Sequence, residues 1–252
     1  MFYGIGPEKV PQLQAALDSL RELFPREVFA TDMMIVMWRN LTFLRNPQFM
    51  NAMRTVAETE QEKSLIWRLH VLTWAGTCAL HVPGDFVECG VLRGFSSAVV
   101  CKYLDFANVP KWFYLYDTFS GPAEQFSTAE ERRKWSRHEN LKDPNLVERV
   151  RQTFAPYRNV QIVQGAVPQS FSQAVPEKIA YLHIDMNSAQ AEVGALEYLY
   201  DRVSVGGMIV LDDFGWVCNF EQTVAELQFF KKRNVPILEL PTGQGLILKV
   251  AE

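Results

Sequence analysis

The chain has 252 residues, 25 Lys and Arg against 29 Asp and Glu, and a formal net charge of -4. With 48% hydrophobic and 21% charged residues, it has the composition of a globular chain with a sizeable core, which excludes a disordered polymer. No long basic run suits phosphate contacts with nucleic acid, no apolar run reaches the roughly 18 residues of a membrane span, and Cys78, Cys89, Cys101 and Cys218 form no CxxC pair of a disulfide scaffold or thiolate zinc site.

At the N-terminus, MFYGIGPEKV has no basic stretch leading into an apolar one, so no signal peptide and a cytoplasmic location are expected. Residues 1 to 80 read as helical and without strand alternation. Leu13, Leu17, Leu20 and Phe24 recur at helical spacing up to Pro25, the apolar pattern runs on through Met33 to Trp38 and Met53, and Leu65, Leu69, Leu72 and Leu80 repeat along a further helix. This stretch is expected to form a helical cap on a main domain covering 81–252, with Val82-Pro83-Gly84 as the break.

From Asp85 the rhythm changes. Short apolar runs at 85–91, 111–117, 159–165, 179–185 and 206–213 alternate with amphipathic segments at 94–106, 144–155 and 189–202. That alternation predicts an α/β fold with a parallel sheet between helices. VPILELP and GLILKV, joined by Thr242-Gly243-Gln244-Gly245, predict a terminal antiparallel hairpin. The charged segment 118–144 follows a strand's carboxyl end, where it is either a lid over a site or an ordinary solvated helix.

Ligands of open α/β sheets bind beyond the carboxyl ends of the strands, so the strand ends carry the chemistry. In Glu88-Cys89-Gly90-Val91-Leu92-Arg93-Gly94 the backbone can approach a ligand at Gly90. Leu92 stands where a dinucleotide fingerprint needs its second glycine, and an acidic residue before Gly-x-x-x-Gly suits a cofactor with a cationic amino-acid end, such as S-adenosylmethionine. Asp117 closes the next strand and either accepts from ribose hydroxyls or caps a turn. Asp185 and the pair Asp212-Asp213 end two further strands. If those strands are neighbours, three carboxylates converge, and a hard divalent cation such as magnesium relieves their repulsion; otherwise one caps a helix and another is solvated. His183 shares a face with Asp185 and reads as a core histidine beside the site. His138, in the 118–144 segment, is either a surface residue or within reach of a substrate hydroxyl. His70 and His81 read as structural.

GDFVECGVLRGFSS, YDTFSG, HIDMN and SVGGMIVLDDFGW, in this order and spacing, resemble the macrocin O-methyltransferase family over residues 28 to 250. The resemblance implies a Rossmann-like class I methyltransferase sheet of seven strands and methyl transfer from S-adenosylmethionine to a sugar hydroxyl in natural-product biosynthesis. It also implies a magnesium site at Asp185, Asp212 and Asp213, a mobile lid and a homo-oligomer, with no nucleic-acid or membrane partner. By that match Glu88, Gly90, Asp117, Thr118 and, from a preceding helix, Thr59 belong to the cofactor pocket, and Asp185 and His138 are the catalytic candidates. Where the family carries a second acid this chain has Asn187, which cannot take a proton. A nicotinamide oxidoreductase would share the sheet, but Leu92 and the three aspartates argue against it. A cofactor-binding module without catalysis, or a methyltransferase for another acceptor, is the alternative that Asn187 supports.

Overall fold

The computed structural model describes residues 5–25, 28–136 and 138–251. The first four residues of the expected cap, its residues 26 and 27, Arg137 of the expected lid and the last residue lie outside the described residues.

The N-terminal region opens with α1 (Val10–Leu23), in which Leu17 is buried. It then departs from the expectation of an all-helical cap. β1 (Val28–Thr31) and β2 (Met34–Met37) pair antiparallel around a two-residue turn, Asp32-Met33, with φ of 49° and 61°. Positive φ at both central residues matches the twist of a tight hairpin, a geometry usually announced by glycine. The Asp-Met pair lacks that signal. α2 (Pro47–Val56) starts on Asn46, whose side chain accepts from the N–H groups of Gln48 and Phe49, with proline at the first helical position. α3 (Glu60–Ser64) and α4 (Ile66–Ala79) follow. Leu69 and Leu72 are buried, while Leu65 and Leu80 pack half-buried against the same core.

The strands β3 (Asp85–Cys89), β4 (Phe113–Asp117), β5 (Val160–Gln164), β6 (Ile179–Ile184), β7 (Val203–Leu211), β8 (Leu238–Glu239) and β9 (Gly245–Leu248) form one sheet in the order β5-β4-β3-β6-β7-β9-β8. β3 to β7 run parallel, and β9 is antiparallel to both neighbours, as the sequence pattern predicts. All six residues of β6 are buried, the mark of a parallel strand covered on both faces. Alternation along the strands feeds two cores. Phe86, Phe113, Leu115, Tyr181 and Val210 face α2, α4 and α5 (Phe95–Leu104), together with α7 (Leu146–Phe154). Val87, Tyr116, Leu182, Ile184 and Ile209 face α8 (Ala189–Leu199) and α9 (Phe220–Lys231). Residues 43–79 thus belong to one face of the sheet's own core. The chain steps outward from β3 through β4 to β5, then crosses back to β6 on the other side of β3. That reversal of strand order opens a crevice at the ends of β3 and β6.

Candidate active site

The turn after β3 is shaped by protein as much as by any ligand. Gly90 has a φ of 93°, and a Cβ on it would stand 1.8 Å from the carbonyl oxygen of Asp185. The absent side chain therefore lets the ends of β3 and β6 approach, which brings Asp185 beside the turn. Asp117, at the end of β4, accepts the N–H groups of Val91 (2.6 Å) and Leu92 (2.7 Å) on Oδ2 and that of Phe119 (2.6 Å) on Oδ1. Of about four acceptor positions on a carboxylate, the turn after β3 fills two and Phe119 of its own loop a third, with Thr118 Oγ1 3.5 Å from Oδ1 as well, so at most one is left for a ligand hydroxyl. Thr118 donates to the carbonyl of Gly121 at 2.6 Å and accepts from Ser120, fixing the exit into the charged segment. Thr59 caps α3 in a reciprocal arrangement with Glu62, and Glu62 pairs in turn with Arg93. Thr59, Glu62, Glu88, Gly90, Arg93, Asp117 and Thr118 all line the same cavity.

Register sets Glu88 of β3 beside His183 of β6. His183 is fully buried, with Nδ1 3.5 Å from Glu88 and Nε2 3.5 Å from Asp212. Glu88 also accepts from Ser97 of α5. Burial pushes the imidazole's pKa down, yet Asp212 and Glu88 outweigh it and raise it well above the ordinary value. Burial raises the Glu88 carboxyl against the pull of His183. The histidine is thus a core residue that stands behind two residues of the site, Glu88 and Asp212. His183, Asp185 and Asp212 can each turn one donor atom into a group within 4.8 Å.

β6 and β7 are neighbours, which brings Asp185 together with Asp212; Asp213 is not in the group that these two form with His183 and instead shares Arg68 with Asp212. Asp185 is raised by burial and by the charges of Asp212 and Asp213. Asp213, raised by burial and Asp212 against Arg68, sits at about 6. Burial also acts on Asp212, but Arg68, His183 and Gln244 hold it below the usual carboxylate range. Arg68, on α4, is the residue the sequence reading missed. Its Nη1 donates to Asp212 at 2.7 Å and Asp213 at 3.2 Å, and its Nε to Asp32 at 3.0 Å. A signal was present: an arginine within the apolar run IWRLHVL must find buried partners.

Described residues of the segment 118–144, among them Pro122, Trp135 and Leu141, line the same cavity. The segment's helix α6 (Ala129–Trp135) begins with a capping box between Thr128 and Glu131. Glu131 also accepts the N–H of Ala189 at 3.1 Å, at the start of α8. Ser188 donates to the carbonyl of Phe126 at 2.5 Å, and Lys134 to that of Cys218 at 2.9 Å. His138 lines the cavity and stacks on Trp135 at 4.8 Å, and burial lowers its pKa. Its Nδ1 accepts from Asn140 at 3.3 Å, so the neutral ring carries its proton on Nε2 and presents a donor there. Asn187 lines the cavity too, donating to Asp185 Oδ1 at 3.0 Å. Among the described residues no donor reaches Asp185 Oδ2.

Sheet order, the terminal antiparallel hairpin and the crevice at the switch point define a class I methyltransferase fold. The O-methyltransferase NovP shares it with a TM-score of 0.61 at 22% identity, over 74% of this chain and 81% of that one. The calicheamicin methyltransferase CalS11 does so with a TM-score of 0.61 at 16% identity, over 98% and 95%. The profile of the macrocin-O-methyltransferase (TylF) family matches residues 68–242, and the chain belongs to that family. A curated relative from Streptomyces olivaceus, 8-demethyl-8-(2,3-dimethoxy-alpha-L-rhamnosyl)-tetracenomycin-C 4'-O-methyltransferase, is 29% identical over 142 residues, 53% of this chain and 54% of the relative. The match spans about half the length of the curated relatives. No described helix is long and apolar enough to cross a membrane.

Proposed function

We propose that the chain transfers the methyl group of S-adenosylmethionine to a hydroxyl of a sugar or glycosylated metabolite, with magnesium at Asp185, Asp212 and Asp213. The observation that carries this reading is one cavity of about 960 Å³ lined both by the turns after β3 and β4 and by the aspartates after β6 and β7. Its volume is at the upper end of the roughly 300–1,000 Å³ of ligand sites, enough for a cofactor and an acceptor together. Family membership and the rhamnosyl group in the name of the Streptomyces olivaceus relative support the same conclusion.

The aspartates suit a hard cation in donor type, since carboxylate oxygens are what magnesium takes. When bound, S-adenosylmethionine supplies an electrophilic methyl group, and magnesium supplies Lewis acidity that makes a bound hydroxyl more acidic. The chain's own residues do the rest. Glu88, Gly90 and the one remaining acceptor position of Asp117 form the cofactor side. Asp185, which lines the cavity and has Oδ1 held by Asn187, orients the acceptor hydroxyl and takes its proton. His138 donates from Nε2 to an acceptor oxygen. The segment 118–144 excludes water and holds the reacting groups in line.

Replacing Asp185 by Ala should cut turnover of S-adenosylmethionine to S-adenosylhomocysteine by at least about 100-fold, with cofactor affinity measured by calorimetry little changed. Full activity of that variant in EDTA would overturn the role of both Asp185 and the metal. Asn187 favours a second reading, a cofactor-binding chain without turnover. Binding of S-adenosylmethionine with no S-adenosylhomocysteine formed across a vicinal-diol glycoside panel would favour it.

A further inference from the structure

Arg68 is a buried cation at the acidic end of the site, 7% exposed. A single nitrogen, Nη1, bridges Asp212 Oδ2 and Asp213 Oδ1, the position that a chelated cation takes between two carboxylates. The other two oxygens of the pair are engaged as well. Gln244 donates to Asp212 Oδ1 at 2.8 Å, and Asn219 to Asp213 Oδ2 at 3.1 Å. A divalent ion chelating both aspartates therefore meets four groups already on their oxygens. Gln244 and Asn219 are neutral amides of the kind that orient ligating carboxylates from outside, and His183 Nε2 stands 3.5 Å from Asp212 Oδ1 alone. Arg68 touches both aspartates and carries a charge that repels the ion.

A second observation shows what would retain the guanidinium once its bonds to the pair are given up. Asp32, in the β1–β2 turn, is 2% exposed; its Oδ2 holds Arg68 Nε, and its Oδ1 is buried without a hydrogen-bond partner. A two-pronged pair, with Nε on Oδ2 and Nη2 on Oδ1, would satisfy that oxygen without using Nη1. Asp32 can therefore hold Arg68 while a divalent ion takes the place of Nη1 on Asp212 and Asp213. Trp216 lies 4.7 Å from the guanidinium.

We propose that Arg68 is the resident counter-cation of the Asp212–Asp213 pair and sets, by competition, how tightly a divalent cation is held there, with Asp32 as its anchor. Arg68 is thus a positioning residue for the metal, and the inference rests on the metal reading above. It makes a prediction opposite to that of a supporting role: removing the charge tightens the site rather than loosening it.

The test is a Mn²⁺ titration of the full chain, followed by the electron paramagnetic resonance of free Mn²⁺, on the wild type and Arg68→Gln. S-adenosylmethionine affinity is measured on the same samples as a control for folding. The variant should hold Mn²⁺ about tenfold more tightly or better. Unchanged or weaker binding beside a wild type that does bind overturns the competition and leaves the metal reading standing. If neither chain holds Mn²⁺ while both hold S-adenosylmethionine, the metal reading falls and the proposal falls with it. Should Arg68→Gln fail to fold, Mg²⁺ titration of the wild type followed by arginine ¹⁵Nε resonances decides. A shift of the Arg68 signal supports displacement, and an unmoved signal at saturating Mg²⁺ overturns it.

Discussion

Leu92 and Asn187 hold φ of 50° and 55°, and each stands in the first turn beyond a central strand. Such left-handed backbone is costly for a bulky residue like leucine and milder for asparagine. In both turns a carboxylate secures it. Asp117 takes the N–H groups of Val91 and Leu92, and buried Glu192 takes those of Met186 and Asn187 at 2.9 Å each. The sequence left Asp117 open between a ribose contact and a turn cap. The cap is plain in the structure, because nothing in the spacing of Glu88–Gly94 announces which carboxylate from another strand will reach that turn. Asp117→Asn sets an amide N–H against donors and should cost about 1–3 kcal/mol for each N–H left unpaired, together with most of the affinity for S-adenosylmethionine. Urea unfolding beside calorimetry checks this; an unchanged unfolding midpoint refutes the cap.

At the level of elements, the five parallel strands and the closing hairpin were legible because period, length and turn chemistry agreed at each of them. The β1–β2 hairpin was not. Its Asp32-Met33 turn carries no glycine, and its strands are four residues each, too short for alternation to stand out from the apolar run around Met33–Trp38. The segment 118–144 was legible as a polar insertion but not as a docked one, since its anchor lies far along the chain. That anchor is Glu131, which closes the capping box of α6 and at the same time caps the start of α8. A negative charge at that helix terminus is favourable. Glu131→Gln retains one carbonyl oxygen for two N–H groups, so α6 should detach more often with little change in global stability. Hydrogen exchange of residues 119–145 should accelerate in the variant relative to α5 and α7. Unchanged exchange there would show that Ser188 and Lys134 hold the segment without Glu131.

Across the whole molecule, the loop bearing Asp185 is tied to the packing of α8 against α9. Glu192 of α8 and Glu226 of α9 are both fully buried. Burial and each other's proximity raise Glu192 well above the ordinary carboxyl value. Glu226 is pushed up to about 8, chiefly by burial. A protonated carboxyl is therefore the folded state's solution to two acids in one apolar layer. The direction of the linkage follows. In the unfolded chain Glu226 loses its proton near 4.5 and in the folded chain near 8, so between these values the native state binds more protons. Its contribution to stability is fully present below the lower value and is lost as pH rises through the upper one. Glu226→Gln keeps a donor toward Glu192 and removes the titration. Wild-type Tm should fall from pH 6 to pH 9 more steeply than that of the variant, and the difference should level off above pH 8. Each kcal/mol corresponds to roughly 2–4 °C for a chain of this size. Parallel curves would mean that the pair does not titrate in the native state. Because Glu192 also holds the N–H groups of Met186 and Asn187, the wild type should show faster exchange in residues 185–188 over the same pH window once the intrinsic rate is corrected, and the variant should not.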